Sequence, residues 1–431
     1  VFTSYEEVLA YLYASVPVFQ RVGASAYKAD LTNTLKLCTA VNNPQSKFRS
    51  IHVAGTNGKG STAHMLASIL QSSGYKTGLY TSPHLKDFTE RIRINTAEVD
   101  TEFVVDFVNR IKPTIDEIKP SFFEVTVAMA FDYFASRQVD VAVIEVGLGG
   151  RLDSTNIITP ELSIITNIGW DHTDLLGDSL QKIAYEKAGI IKLGIPVVVS
   201  EKQKEVEQIF IETSHQNNST LYFAGDDYTV EWKSHDEQQV LTAWKKKQIF
   251  FEGLSFPLQG FYQQKNVTGV LKAVEVLDTL GFSIRHQSLL DGLTNVIRNT
   301  GLKGRWQKLG DNPLMICDTG HNVDGMHELI RQIQVQKFDT LHMVIGMVKD
   351  KDISKVLALL PQHARYYFCQ ANIPRALDAT LLAEQAKKVG LNGIVIRDVN
   401  DAIRKARSAA SLNDFIFIGG STFVVAEIEN L

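Results

Sequence analysis

A short apolar run, a glycine-rich loop with one lysine, a hydroxyl and a helix-forming stretch follow one another in IHVAGTNGKGST, residues 51–62. That order makes a strand turn sharply into a helix. Such a turn aims backbone N–H groups and a helix N-terminus at anionic oxygen, and a lysine inside it reaches terminal phosphates. Gly55, Thr56, Asn57, Gly58, Lys59, Gly60 and Ser61 are therefore the candidate phosphate ligands. The following helix has its own support, since Met65, Leu66, Ile69 and Leu70 share one apolar face and Gly74 ends the stretch. The spacing departs from the commonest phosphate loop, because Gly58 comes early and Gly60 separates Lys59 from Ser61. The bare alternative is a tight glycine turn with no ligand.

A strand–loop–helix unit belongs in a parallel α/β sheet, and the rest of the chain agrees. Short apolar runs alternate with helix-length amphipathic stretches, as a parallel sheet covered by helices requires. The clearest early strands are Ile51–Ala54, Val139–Val146 and Leu162–Ile168; the second is nearly continuous in apolar residues, as burial on both faces demands. Residues 203–255 are more polar and alternate like strands, which predicts an antiparallel excursion at the sheet edge with a solvated lysine run, Lys245–Lys247. A long helix is expected from Gln263 to Leu280.

Glycines and polar residues at 299–304 read as a linker between a domain of residues 1–298 and one of residues 305–431. Five further strands are expected beyond it: Leu314–Cys317, Leu341–Ile345, Tyr366–Phe368, Ile394–Ile396 and Phe415–Ile418. They predict a smaller, Rossmann-like α/β domain. The length of 431 residues suits two or three domains.

Charge excludes one class of function. Lys and Arg total 44 against 48 Asp and Glu, a net charge of −4, so no basic excess is available for a nucleic-acid backbone. No run approaches the roughly 20 apolar residues of a membrane span. Cys38, Cys317 and Cys369 are too scattered for a disulfide framework or a zinc pattern, and the start has no basic leader segment. A cytoplasmic protein that uses neither nucleic acid nor membrane is expected.

Acidic residues at strand ends are the usual partners of a phosphate loop. Glu145 closes VDVAVIE, where a carboxylate can hold Mg²⁺ directly or through water, or can simply face solvent. The strand Ile164–Ile168 runs into Gly169-Trp170-Asp171-His172, on the same rim if the sheet is parallel. His172 is then either a second cation ligand or a surface histidine.

Seven motifs in order resemble the folylpolyglutamate synthase and bifunctional dihydrofolate synthase family of the Mur ligase superfamily. They are GTNGKGS (55–61), TSPHL (81–85), TERIRIN (89–95), EVGLGGRLDSTN (145–156), DHTDLLG (171–177), EKAGIIK (186–192) and GxxxDKD (346–352). The resemblance implies a phosphate-loop-containing, Mur-ligase-like central domain with a mostly parallel sheet and a C-terminal glutamate-ligase domain. It implies that ATP converts a pterin-bearing carboxylate to an acyl phosphate, which the amino group of L-glutamate attacks. Dihydropteroate or a reduced folate would be the acceptor, with ATP and Mg²⁺ as cofactors and a monomer as the expected state.

By the same resemblance, Ser82 and Glu145 would hold one Mg²⁺, and His172 with a carbamylated Lys187 a second. Asn266, Arg305 and Asp318 would contact nucleotide, Arg305 directly after the linker where domain closure can engage it. Lys59, His172, Lys187, Asp318 and His321 form the implied catalytic set. Phe122, Phe123 and Glu124 with Leu152, Asp153 and Ser154 match segments that contact dihydropteroate in the bifunctional enzymes; an aromatic pair can equally be core. Val18–Asp30 takes the pterin-loop position.

One motif departs from the family pattern of aspartate-glycine-alanine-histidine-asparagine-proline: here it is Asp318-Thr319-Gly320-His321-Asn322-Val323. Three alternatives to a bifunctional ligase follow. One is a polyglutamate synthase alone, one a ligase of a cell-wall precursor, and one a nucleotide switch that hydrolyses ATP without ligation. The GTNGKG loop weighs against the second, and a second α/β domain with its own Asp318, His321 and Asp350-Lys351-Asp352 against the third.

Overall fold

The computed structural model describes residues 1–18, 23, 30–235, 238–349 and 353–431. Most of the expected pterin loop, and Asp350-Lys351-Asp352, lie outside the described residues. The chain forms two compact units: Val1–Pro257 with Gln263–Leu302, and Leu258–Tyr262 with Lys303–Leu431. The passage at Leu302–Lys303 follows a short helix, Val296–Thr300, so Asn299 and Thr300 are helical.

The first unit is built on eight strands. In chain order these are β1 (Arg49–Ala54), β2 (Thr77–Tyr80), β3 (Ile92–Ile94), β4 (Ala97–Glu98), β5 (Val141–Glu145), β6 (Leu162–Ile165), β7 (Val197–Val199) and β8 (Leu221–Phe223). Their order across the sheet is β4-β3-β2-β5-β1-β6-β7-β8. All neighbours from β2 to β8 pair parallel, and β3 and β4 add an antiparallel edge. β5 is buried along its whole length, which explains its unbroken apolar sequence.

The register sets the site. Val53 pairs with Glu145 and Ala54 with Ile165, so β1, β5 and β6 end level with one another. The glycine loop, Glu145 and the segment after β6 therefore share one rim.

The helix Lys59–Ser72 is buried all round, from Ser61 through Leu70, rather than along the single face expected. Its outer side is covered by helices Gln263–Thr279, His286–Thr294 and Val296–Thr300. The helix His286–Thr294 comes closest at Gly292, beside Ser68 and Ile69. Ser68 donates from Oγ to the Gly292 carbonyl at 2.6 Å.

Of the polar stretch 203–255, β8 lies at the main sheet's edge but pairs parallel, and the residues after it form a separate antiparallel sheet of β9 (Tyr228–His235), β10 (Gln238–Lys245) and β11 (Gln248–Leu254). Residues Glu207–Gln216 ahead of it form a helix. The three strands satisfy one another and pack through β9 on helix Gln263–Thr279. Lys246 and Lys247 of the lysine run are exposed, as expected, while Lys245 pairs with Glu275 of the helix at 2.9 Å.

The second unit has six strands: β12 (Gln307–Asp311), β13 (Leu314–Cys317), β14 (Leu341–Ile345), β15 (Arg365–Phe368), β16 (Gly393–Val395) and β17 (Phe415–Gly419). Their order is β12-β13-β17-β14-β15-β16, parallel except for β12. This is the Rossmann-like layering expected, with one unforeseen antiparallel edge strand. Among the described residues no helix is long and apolar enough to cross a membrane.

The close packing at Gly292 yields a stability prediction. A Cβ there would lie 2.5 Å from the Ile69 Cα, against backbone that cannot rotate away. Gly292→Ala should gain up to about 1 kcal/mol of helix propensity but lose more to overpacking, for a net destabilisation of about 1–2 kcal/mol. Denaturant midpoints of the two proteins measure this; an unchanged or higher midpoint would contradict the packing argument.

Candidate active site

The glycine loop leaves β1 at Ala54 and is laced to the segment that follows β6. Thr56 N–H donates to the Asn167 carbonyl at 2.9 Å, and Asn57 N–H to Asn167 Oδ1 at 2.9 Å. Gly169 N–H donates to Thr56 Oγ1 at 2.9 Å, and Thr166 Oγ1 donates to the Asn57 carbonyl at 2.6 Å. Two glycines are dictated by this closeness. Gly55 has φ +141° and a Cβ there would fall 1.8 Å from Thr166 Oγ1; Gly58 has φ +87° and a Cβ there would fall 2.1 Å from Asn266 Oδ1.

Gly58 caps helix Lys59–Ser72, so the helix N-terminus with Gly60 and Ser61 opens at the loop. Ser61 is buried, and its hydroxyl accepts from Gln263 Nε2 at 3.1 Å. Gln263 Oε1 in turn accepts from Asn266 Nδ2 at 2.9 Å. Sequence reasoning passed over Gln263. The available signal was its spacing, three residues before Asn266 and so on the same helix face.

Two lysines converge on one carbonyl. Lys59 Nζ donates to the carbonyls of Gly55 (3.0 Å) and Thr56 (3.1 Å), and Lys187 Nζ donates to the same Gly55 carbonyl at 2.8 Å. Lys187 stands near the end of helix Leu180–Ala188 and is only 3% exposed, so it is no surface lysine. Burial, helped by the charge of Lys59, pulls its pKa down to about 7, while Asp171 and Asp153 act in the opposite sense. At neutral pH a large fraction of this amine is therefore uncharged.

Ser82 follows β2, and its N–H donates to Glu145 Oε2 at 3.0 Å. Glu145 is buried at the end of β5 and does not face solvent. His172, with φ +51°, precedes helix Thr173–Leu176 and lies beside Asp171, Nε2 to Oδ1 3.8 Å. The structure thus brings Ser82 to Glu145, and Lys187 to Lys59 at the loop. Asp171, which sequence reasoning did not single out, bears on both His172 and Lys187.

The residues matched to a pterin-contacting segment have visible structural duties. Ser121 and Glu124 form a reciprocal cap at the start of helix Phe122–Ser136, and Glu124 is buried. Phe122 is core, stacked on Tyr13 with centroids 5.3 Å apart, whereas Phe123 is half-buried with its ring against Gly147. Asp153 is buried, accepting at Oδ1 from Thr155 N–H and at Oδ2 from Leu148 N–H (2.8 Å). Leu152 is half-buried beside it, and Ser154 is buried at the start of the short turn that Asp153 caps.

In the second unit Asp318 follows β13 and is 2% exposed. Burial raises its pKa, partly countered by the Arg305 guanidinium. His321 donates from Nδ1 to the Thr319 carbonyl at 3.0 Å, and Asn322 caps helix Val323–Gln334 by accepting from Gly325 N–H at 2.8 Å. The altered motif therefore still closes into a strand–loop–helix turn.

The described residues contain no group of three or more His, Cys, Asp or Glu able to hold a metal alone. Oxygen from Ser82 and Glu145 is the hard donor type that Mg²⁺ takes, so the pair fits such an ion if phosphate or water oxygens complete its shell. An ammonium does not fit, and Lys187 could serve only after conversion to an oxygen donor.

Family models match residues 53–274 as the Mur ligase middle domain and residues 304–422 as the Mur ligase glutamate ligase domain. The chain is 31% identical over 442 residues to the dihydrofolate synthase/folylpolyglutamate synthase of Bacillus subtilis, covering 99% of each. It is similar to Escherichia coli FolC in complex with DHPP and ADP, with TM-score 0.86, 29% identity, and coverage of 98% of this chain and 96% of that one. A bifunctional folylpolyglutamate synthase/dihydrofolate synthase from Yersinia pestis, complexed with AMPPNP and Mn ion, gives TM-score 0.80 at 28% identity over 98% and 97% of the chains. This chain belongs to the dihydrofolate synthase/folylpolyglutamate synthase family of Mur ligases, enzymes that form amide bonds with ATP.

Proposed function

We propose that this ligase joins L-glutamate to dihydropteroate and to reduced folates through an acyl phosphate. The observation that carries the reading is the glycine loop with Lys59, set on one rim with the Ser82–Glu145 pair and the buried Lys187. Carboxylate and triphosphate repel each other, so catalysis here depends on positive charge held in place before the reaction begins. Lys59 supplies one such charge; in the structure its ammonium rests on loop carbonyls, weak partners that a phosphate can replace. Mg²⁺ held by Ser82 and Glu145 would add a second charge at the phosphate oxygens.

Gly55 to Ser61 then hold phosphates, and Asn266, Arg305 and Asp318 contact nucleotide by family resemblance. His321 completes the proposed catalytic set with Lys59, His172, Lys187 and Asp318 on the same ground. His172 and Lys187 are proposed as ligands of a second Mg²⁺, Lys187 as its carbamate. Carbamate formation needs an uncharged amine, which the burial of Lys187 favours. Phe123, with Phe122, Glu124 and Leu152 to Ser154 behind it, is proposed to face the pterin. Addition of a first glutamate to dihydropteroate and of later ones to folate would use the same site. A polyglutamate synthase alone would accept only the second kind of substrate.

The ligase is separable from a nucleotide switch by ADP release. Release should require glutamate together with a pterin acid; release indifferent to both would overturn ligation. Running dihydropteroate and a reduced folate as alternative acceptors in the same assay decides bifunctionality, with glutamylated product expected from each.

Lys59→Ala should fold normally and lose roughly a hundredfold or more of its turnover, the loss seen when one fixed positive or hydrogen-bonding group is removed from a developing charge. A folded variant keeping more than about a tenth of the parent rate would reject this role.

Lys187→Arg keeps a long basic side chain but cannot form this carbamate. It should lose most activity at saturating Mg²⁺, and Lys187→Ala should be partly restored by formate or acetate. Parental turnover in Lys187→Arg would end the carbamate proposal.

A further inference from the structure

Asp318 is held by an unusual set of donors, all within the second unit. Tyr262 donates its hydroxyl to Oδ2 at 2.7 Å, Trp306 donates its backbone N–H to the same oxygen at 2.7 Å, and Gly320 N–H donates to Oδ1 at 2.7 Å. A carboxylate oxygen offers two good acceptor directions, so Oδ2 is fully engaged and Oδ1 retains one. Removing the tyrosine hydroxyl would leave Oδ2 with only one strong donor and allow the carboxylate plane to turn.

Tyr262 is itself fixed in place. It ends the segment Leu258–Tyr262, five residues that belong to the second unit although the chain on either side belongs to the first. Gln332, 2% exposed on helix Val323–Gln334, grips that segment with both ends of its amide. Its Oε1 accepts from Phe261 N–H at 2.7 Å and its Nε2 donates to the Gln259 carbonyl at 2.8 Å. The Tyr262 ring packs against the core under β13 and β17. The hydroxyl is therefore presented to Asp318 from a rigid strap.

The backbone donor, Trp306, matters for the neighbouring charge. Trp306 has φ +46°, a left-handed conformation that a bulky residue adopts only when held there. Its bond to Asp318 holds it, and Arg305 is the preceding residue. One carboxylate oxygen thus takes the tyrosine hydroxyl and also holds the backbone next to Arg305.

We propose that Tyr262 is a positioning residue for nucleotide binding, acting through Asp318, whose remaining Oδ1 acceptor it aims at the ligand. The inference rests on the reading of Asp318 as a nucleotide contact, and the two are tested separately.

The experiment compares Tyr262→Phe, Asp318→Asn and the double variant in steady-state kinetics with ATP varied at saturating glutamate and pterin acid. Phenylalanine keeps the ring and its packing. Tyr262→Phe should raise the KM for ATP about fivefold to tenfold, change kcat less than twofold, and leave the melting temperature nearly unchanged. Asp318→Asn should raise KM at least as much, and the double variant should add little to it, because the hydroxyl acts only through the carboxylate. An unchanged KM in Asp318→Asn would remove the nucleotide reading of Asp318 and this inference with it. A raised KM in Asp318→Asn with a parental KM in Tyr262→Phe would overturn the role of Tyr262 alone. Additive effects in the double variant, or a fall in melting temperature with KM unmoved, would also overturn it and leave Tyr262 a packing residue.

Discussion

Everything at the phosphate end of the first unit depends on hydrogen bonds between residues 54–57 and residues 166–169. Thr166 N–H donates to the Ala54 carbonyl as the last rung of the β1–β6 pairing, and the contacts of Thr56 and Asn57 continue that pairing beyond the strands. A glycine loop on its own has many conformations, and freezing it costs about 1–2 kcal/mol per residue. Here the second strand's extension absorbs that cost in the folding of the sheet. The loop is then ready before any phosphate arrives, so little binding energy is spent on ordering it.

The same lacing explains the tight glycines. Where two backbones run so close, no side chain fits, and the geometry at Gly55 and Gly58 follows from proximity to Thr166 and Asn266 rather than from flexibility. The convergence of Lys59 and Lys187 on the Gly55 carbonyl is a further result of this crowding. Two amino groups share a buried acceptor, and the pKa of the more deeply buried one is pulled down to about 7.

Much of this was legible in the chain because parallel strands leave strong local signals. VDVAVIE needs burial on both faces, and Gln263 onward has a helical period, so β5 and helix Gln263–Thr279 lie where the pattern put them. What escaped was decided by distant partners. β12 is short and polar, and it exists because β13 offers an open edge. The strand-like alternation of residues 203–255 carried no information about which sheet would receive it, and its first part became a helix. Gln263 and Tyr262 carry no motif of their own. Each gains meaning from a group that folding brings to it from far along the chain, Ser61 in one case and Asp318 in the other. Asp171 was overlooked for a different reason: it sits beside a more conspicuous histidine.

The interruption of the first unit by Leu258–Tyr262 has a consequence for how the chain is made. A domain normally collapses once its own residues have left the ribosome, from the N-terminus onward. This one emerges with a five-residue segment in which Gln259, Phe261 and Tyr262 await partners not yet synthesised: Gln332 follows Phe261 by 71 positions and Asp318 follows Tyr262 by 56. Until then the Phe261 amide and the Gln259 carbonyl must stay with water, and the tyrosine ring has no core to enter. The first unit can therefore close around its own sheet while this short stretch waits, and the stretch takes its final place only when the second unit is made.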